Sequence, residues 1–200
     1  VNGYGVVTGV DQLSPATALL RVDISGIGAI DYKAGQFAQL QVPGTSVWRN
    51  YSYAHPADGR TELEFIVRLL PDGVMSNYLR DQAKPGDRIA IRCSKGSFYL
   101  RPVVRPAVLV AGGTGLSAIL AMAQSLDADV GQPVQLLYGV TNAEDLCKLD
   151  ELDALKQRIP GLEVRVVVAR PDPTWDGAVG RVTDLLSDDM LGGGDADVYL

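Results

Sequence analysis

The chain is poor in the residues that advertise their own chemistry. It has one histidine and two cysteines in 200 residues. Cys93 and Cys147 stand far apart, so they form neither a disulfide framework nor the clustered spacing of a zinc or iron–sulfur site. They read as small, half-buried hydrophobes, and a reducing, cytoplasmic location suits them. The histidine, His55, sits in the polar turn His55-Pro56-Ala57-Asp58-Gly59 and reads as a solvated loop residue, with no visible partners for a base or a ligand. Excess positive charge is also missing. A formal net charge of -6 argues against nucleic acid as a partner, while leaving room for a local basic patch. No apolar run approaches the ~18 residues of a membrane span, and no signal-peptide pattern opens the chain. Nucleophile elbow, paired carboxylates and metal-ligand spacing are all absent. Such a chain suits chemistry that belongs to bound cofactors.

What is present is an ordinary globular composition, 46% hydrophobic and 21% charged, long enough for one large domain or two small ones. The periodicity changes near Leu100 to Arg105. Before that point the signals are β. Val6–Val10 and Ala18–Val22 are short apolar runs. Ala38, Leu40 and Val42 alternate with polar residues, as do Leu63, Phe65 and Val67, and Ile89-Ala90-Ile91 follows a turn at Lys84–Asp87. Short strands separated by turns predict a small antiparallel barrel. One helix interrupts it, with Val74 and Tyr78, and Met75 and Leu79, on a shared face. After Pro106 come buried-strand runs at Ala107–Ala111, Leu136–Val140 and Val164–Ala169. They alternate with helical stripes at Leu116, Ile119, Leu120 and Ala123, and at Leu146, Leu149, Leu152 and Leu155. This alternation predicts a parallel sheet flanked by helices. The expected division is 1–102, a barrel domain, and 103–200, an α/β domain lacking its C-terminal part. Val1 is no initiator, and Asp197–Leu200 reads as an unfinished strand, so both ends are expected to be cut from a longer protein.

Three local patterns bear on function. In Arg49-Asn50-Tyr51-Ser52 a cation and an aromatic ring lie two apart, on one face of a strand, with a hydroxyl on the other. Gly73-Val74-Met75-Ser76 opens the helix and offers backbone N–H groups to an anion. Together they suit a flavin dinucleotide: Arg49 and the helix start for the pyrophosphate, Tyr51 against the ring, Ser52 at its reactive edge. Singly, each has a plainer reading: a surface arginine, a barrel-edge tyrosine, a helix capped by Asp72. The third pattern, Gly112-Gly113-Thr114-Gly115, follows a buried strand, opens a helix and is completed by Ala118, as a dinucleotide fingerprint requires. At the end of the next strand, Glu144 and Asp145 can accept from a ribose hydroxyl, and no cation precedes Lys148, which favours NADH over NADPH. The same two carboxylates also suit the first turn of a helix. Arg170 lies after the third strand, within reach of a phosphate.

Arg-x-Tyr-Ser, Gly-x-x-Ser and Gly-Gly-Thr-Gly after a buried strand resemble the ferredoxin–NADP reductase superfamily. The runs from Gly73 through Tyr99 to Gly115 and from Tyr138 to Leu146 resemble most the reductase components of ring-hydroxylating dioxygenases of the benzoate 1,2-dioxygenase type. The resemblance implies an FAD barrel followed by an NADH domain. Arg49 would bind the pyrophosphate, Tyr51 would stack on the isoalloxazine and Ser52 would bond near flavin N5. Val67 and Arg68 would lie along the cofactor, and Gly73, Val74, Met75 and Ser76 would wrap its phosphates. Gly112, Gly113, Thr114 and Gly115 would receive NADH, with Thr114 near the nicotinamide. The implied activity is hydride transfer from NADH to FAD, then single electrons to a [2Fe-2S] centre and on to an aromatic-ring oxygenase. That iron–sulfur centre, in a ferredoxin domain or protein, is expected in the full-length protein and not in this chain. Cys93-Ser94 and Ala118 depart from the family's usual Gly-Pro and Pro. Two alternatives stay open: a flavin-binding electron-transfer or regulatory module without productive NADH oxidation, and the reductase module of a flavohaemoglobin or monooxygenase.

Overall fold

Alternating apolar positions curl the first half into a closed sheet. The computed structural model describes residues 2–200. Strands β1 (Asn2–Ser14), β2 (Thr17–Asp23), β3 (Phe37–Gln41), β4 (Trp48–Ser52), β5 (Glu62–Arg68) and β6 (Arg88–Lys95) form one antiparallel sheet in the order β4-β3-β6-β1-β2-β5. Its two edges meet where the Ala54 N–H donates to the Glu64 carbonyl at 2.9 Å, tying the chain beyond β4 to β5. Leu20, Leu40, Leu63, Phe65, Ile89 and Ile91 fill the interior. β1 extends well beyond the predicted Val6–Val10, because it pairs with both β2 and β6 and backbone bonds carry its polar ends.

Helix α1 (Val74–Asp81) packs Met75, Tyr78 and Leu79 against this barrel, while Val74 is exposed. The N-cap position is Gly73, not Asp72, and no side chain caps the helix.

The second half is a parallel sheet. Strands β7 (Ala107–Gly112), β8 (Val134–Val140), β9 (Leu162–Val168), β10 (Ala178–Val179) and β11 (Asp197–Tyr199) lie in the order β10-β9-β8-β7-β11. Helices α2 (Leu116–Gln124) and α3 (Leu149–Arg158) flank it. β8 and β11 lie on opposite sides of β7, so the sheet reverses direction there and opens a crevice at the carboxyl end of β7. Leu146 is not helical as its spacing suggested. It follows a 3-10 turn in an extended conformation, and α3 starts only after Lys148. Cys93 and Cys147 are fully rather than half buried. The domains touch closely at Gly35 (φ +104°), where a Cβ would collide with Met122 Cε and lie 2.9 Å from the Phe98 carbonyl oxygen.

His55 overturns its sequence-based expectation. It is 2% exposed, inside the barrel wall. Its Nε2 accepts the Glu64 N–H at 3.3 Å, and its Nδ1 lies 2.9 Å from both the Tyr32 hydroxyl and the Pro56 carbonyl oxygen. Tyr32 in turn stacks on Tyr53 at 3.7 Å. The polar neighbours in sequence hid partners that arrive from distant parts of the chain, Tyr32 from the β2–β3 connection and Glu64 from β5. Burial, the largest influence, holds the imidazole below its usual pKa of 6.5. A depressed histidine pKa means that the unfolded chain binds the proton first. His55 therefore supports the fold fully above about pH 6.5, and that support fades as pH falls. The urea midpoint of the wild type is expected to drop between about pH 7.5 and pH 5.5. His55→Gln should be less stable at the higher pH and lose most of that slope. An unchanged slope in the variant would count against the buried neutral ring.

Candidate functional site

The end of β4 and the start of α1 face each other across a cavity of about 370 Å³. Arg49, Asn50, Tyr51 and Ser52 form one wall, and Gly73, Val74, Met75 and Ser76 another. Arg49 is exposed, and its Nη1 donates to the Trp48 carbonyl at 2.9 Å. Tyr51 is half-buried, and burial pushes its phenol up to about 12, so the ring stays neutral. The first intrahelical bond of α1 runs from the Asn77 N–H to the Gly73 carbonyl. The N–H groups of Val74, Met75 and Ser76 precede it and have no partner within the helix. With no side-chain cap and no acidic residue in the first turn, this end is open to an anion. The Ser76 hydroxyl is engaged elsewhere. It accepts the Leu70 N–H at 2.9 Å and donates to the Arg68 carbonyl at 3.4 Å, so it shapes the turn from β5 into α1.

Period-2 geometry corrects one assignment. Val67 was expected along a cofactor, but its side chain points into the barrel core with Leu63 and Phe65. Its neighbours Ile66 and Arg68 take the opposite face and line the cavity.

A second cavity of about 280 Å³ lies at the carboxyl ends of β7, β8 and β9. Gly112, Gly113 and Thr114 border it, as do Gly139 to Thr141, Ala169 and Arg181. Gly113 has φ +53°, which a larger residue resists. A Cβ on Gly112 or Gly115 would meet nothing within 4 Å, and one on Gly113 only Arg68 Nη1 at 4.0 Å. Gly112 and Gly113 line this cleft and Gly115 the first cavity, and open space around all three suits close approach by a phosphate. Asp145 lines this cleft, whereas Glu144 is exposed outside it. Arg170 also lies outside, its N–H donating to the Thr141 carbonyl at 2.7 Å.

Arg68 and Thr114 border both cavities, so the two adjoin. Across their junction Ser117 on α2 donates to the Ser52 carbonyl at 2.8 Å, joining the second domain to the end of β4. Sequence reasoning missed Asn50, Ile66, Leu70, Ser117 and Arg181 as lining residues. Ser117, three residues after Thr114 on one helical face, carried a usable signal. Arg181 follows an irregular stretch and carried none.

The paired cavities fit two dinucleotides: an uncapped helix start with a cation and an aromatic in one, bare glycine backbone in the other. Family models agree. An oxidoreductase FAD-binding domain matches residues 5–99, and an oxidoreductase NAD-binding domain matches residues 109–200. The chain belongs to the oxidoreductases built from an FAD-binding domain followed by an NAD-binding domain. It is 41% identical over 197 residues to the anthranilate 1,2-dioxygenase electron transfer component of Acinetobacter baylyi, covering 98% of this chain and 57% of that protein. It is 38% identical over 201 residues to the toluate 1,2-dioxygenase electron transfer component of Pseudomonas putida, covering 99% and 59%. The chain thus spans a little over half the length of these relatives. Its fold matches the crystal structure of an Amycolatopsis cytochrome P450 reductase with a TM-score of 0.84 at 26% identity, over 100% of this chain and 69% of the other. Among the described residues, no helix is long and apolar enough to cross a membrane.

Ser117→Ala leaves the Ser52 carbonyl without its partner and should lower unfolding stability by about 1–2 kcal/mol. Chemical denaturation measures this, and a change within about 0.3 kcal/mol would show that the bond adds nothing to the domain junction.

Proposed function

We propose that this chain is the flavin and nicotinamide part of an electron-transfer reductase. In this reading it takes a hydride from NADH onto FAD and passes single electrons to a [2Fe-2S] centre, which feeds an oxygenase of the ring-hydroxylating type. The observation that carries this reading is the shared border of the two cavities at Arg68 and Thr114. Relatives named as electron transfer components of anthranilate and toluate dioxygenases support the choice of acceptor.

FAD, when bound, supplies a centre that takes up two electrons as hydride and gives them up one at a time. The chain supplies placement. Arg49 and the open N–H groups of α1 would hold the diphosphate, through charge-assisted bonds and the helix dipole. The neutral Tyr51 ring would offer a flat face to the isoalloxazine, and Ser52 a hydroxyl at its edge. Gly112, Gly113, Thr114 and Gly115 would admit the second dinucleotide, with Thr114 at the junction. Asp145 would accept from the adenosine ribose and disfavour a 2′-phosphate by like charge, so NADH is preferred over NADPH. No side chain has to abstract a proton. Orientation alone is worth ~7–11 kcal/mol in favourable cases.

Anaerobic mixing of the FAD-loaded protein with NADH tests the whole reading. Bleaching of the flavin absorbance supports it. A yellow protein that NADH leaves unchanged contradicts it and favours a binding module. Arg49→Ala should raise the FAD dissociation constant about tenfold or more, and an unchanged constant by flavin fluorescence titration counts against the diphosphate role. Ser52→Ala should keep FAD but slow its reduction by NADH, and full-speed reduction removes Ser52 from the chemistry. Asp145→Ala should narrow the preference for NADH over NADPH about tenfold in kcat/KM. A preference that stays as wide assigns the discrimination elsewhere.

A further inference from the structure

The loop from Thr141 to Lys148, between β8 and α3, lines the dinucleotide cleft through Thr141 and Asp145, and two of its side-chain contacts reach across to the barrel. Ser14, at the end of β1 and almost fully buried, donates from Oγ to Asp145 Oδ1 at 3.3 Å. Asn142 Nδ2 donates to the other oxygen, Oδ2, at 3.3 Å. Six residues along from Asn142, the Lys148 ammonium stands 2.5 Å from Glu151 Oε1 and 3.9 Å from Glu64 Oε2 of β5. Its side chain is only 12% exposed.

Two features distinguish Lys148 from a surface lysine. Its backbone sits in the left-handed region at φ +59°, a conformation that non-glycine residues adopt only where their surroundings hold them. Its partner is also fixed. The Glu64 N–H donates to His55 Nε2 and the Glu64 carbonyl accepts from the Ala54 N–H, at the seam that closes the barrel. The shorter contact, to Glu151, keeps the shielded ammonium in place, and the longer one, to Glu64, is the contact that crosses to the barrel. The exposed pair Lys156–Asp153 within α3 is an ordinary solvated contact by comparison.

We propose that Ser14, Glu64 and Lys148 are positioning residues for hydride delivery. They latch the loop that carries Asp145 to the barrel that carries the flavin cavity. The ribose end of the dinucleotide is thereby held in fixed relation to the place where its nicotinamide must meet the flavin. None of the three touches reacting atoms. They act through the relative placement of two domains, and transfer rates respond steeply to small misplacements. This inference rests on the function proposed above.

Lys148→Met keeps the stem and removes the charge. In anaerobic stopped-flow, it should lower the limiting rate of flavin reduction about fivefold to tenfold, with FAD content intact and NADH affinity changed less than about twofold. Lys148→Arg should recover most of the rate. Glu64→Gln should slow reduction too, and the double variant should be no slower than Lys148→Met alone. Lys156→Met should match the wild type. A wild-type limiting rate in Lys148→Met, or independent effects in the double variant, overturns the proposal. Amide hydrogen exchange of the oxidised protein, without NADH, supplies a second arm. The segments 13–17 and 141–148 should exchange faster in Lys148→Met than in the wild type, and equal protection overturns the latch. If NADH fails to reduce even the wild-type flavin, the proposed function falls, and the exchange result alone decides the latch.

Discussion

The site depends on one junction, where the end of β4 meets the start of α2. The Ser117 hydroxyl bonds the Ser52 carbonyl there, and Arg68 and Thr114 stand on either side of the same boundary. Neither domain makes this arrangement alone. The barrel brings a cation, an aromatic ring and an uncapped helix to one edge. The parallel sheet brings bare glycine backbone to the point where its strand order reverses. Each half by itself is a binding surface. Joined, they put two binding surfaces within reach of each other.

That division explains why the chain can be so short of reactive side chains. Redox chemistry carried by cofactors asks the protein for anchorage, approach and orientation. In the proposed function, anchorage would come from Arg49 and the N–H groups that α1 leaves open. Approach would come from glycines at which an added Cβ would meet open space rather than packed neighbours. Orientation comes from contacts that cross the domain boundary, Ser117 to Ser52, Ser14 to Asp145 and Lys148 to Glu64. Such contacts join residues distant in sequence.

The same distinction governs what the sequence reveals. Barrel and parallel sheet were legible because alternation and helical spacing are local properties, visible at Ala38 and Leu40 or at Ile119 and Leu120. The glycine turn was legible because its strand and helix flank it directly. His55 was not, since its partners Tyr32 and Glu64 come from the β2–β3 connection and from β5 rather than from its polar turn. The resemblance put Val67 on the cofactor side, while the alternation of β5 turns it inward and leaves Ile66 and Arg68 facing the cavity. Glu144 and Asp145 looked equivalent as neighbours, but the 3-10 turn sends only Asp145 into the cleft. Arg181, Ser14 and Lys148 had no local signature, because their roles arise only where separate elements meet.

The central claim is that the two cavities bring their occupants into direct contact, so that a hydride crosses between them without a relay. Reduction of the FAD-loaded protein by NADH carrying deuterium at nicotinamide C4, compared with unlabelled NADH at saturating concentration, measures this most directly. A primary isotope effect on the limiting rate of flavin reduction, confined to one face of the nicotinamide, is the predicted result. Rates that are identical for both faces and for unlabelled NADH would contradict direct transfer at the Arg68–Thr114 border.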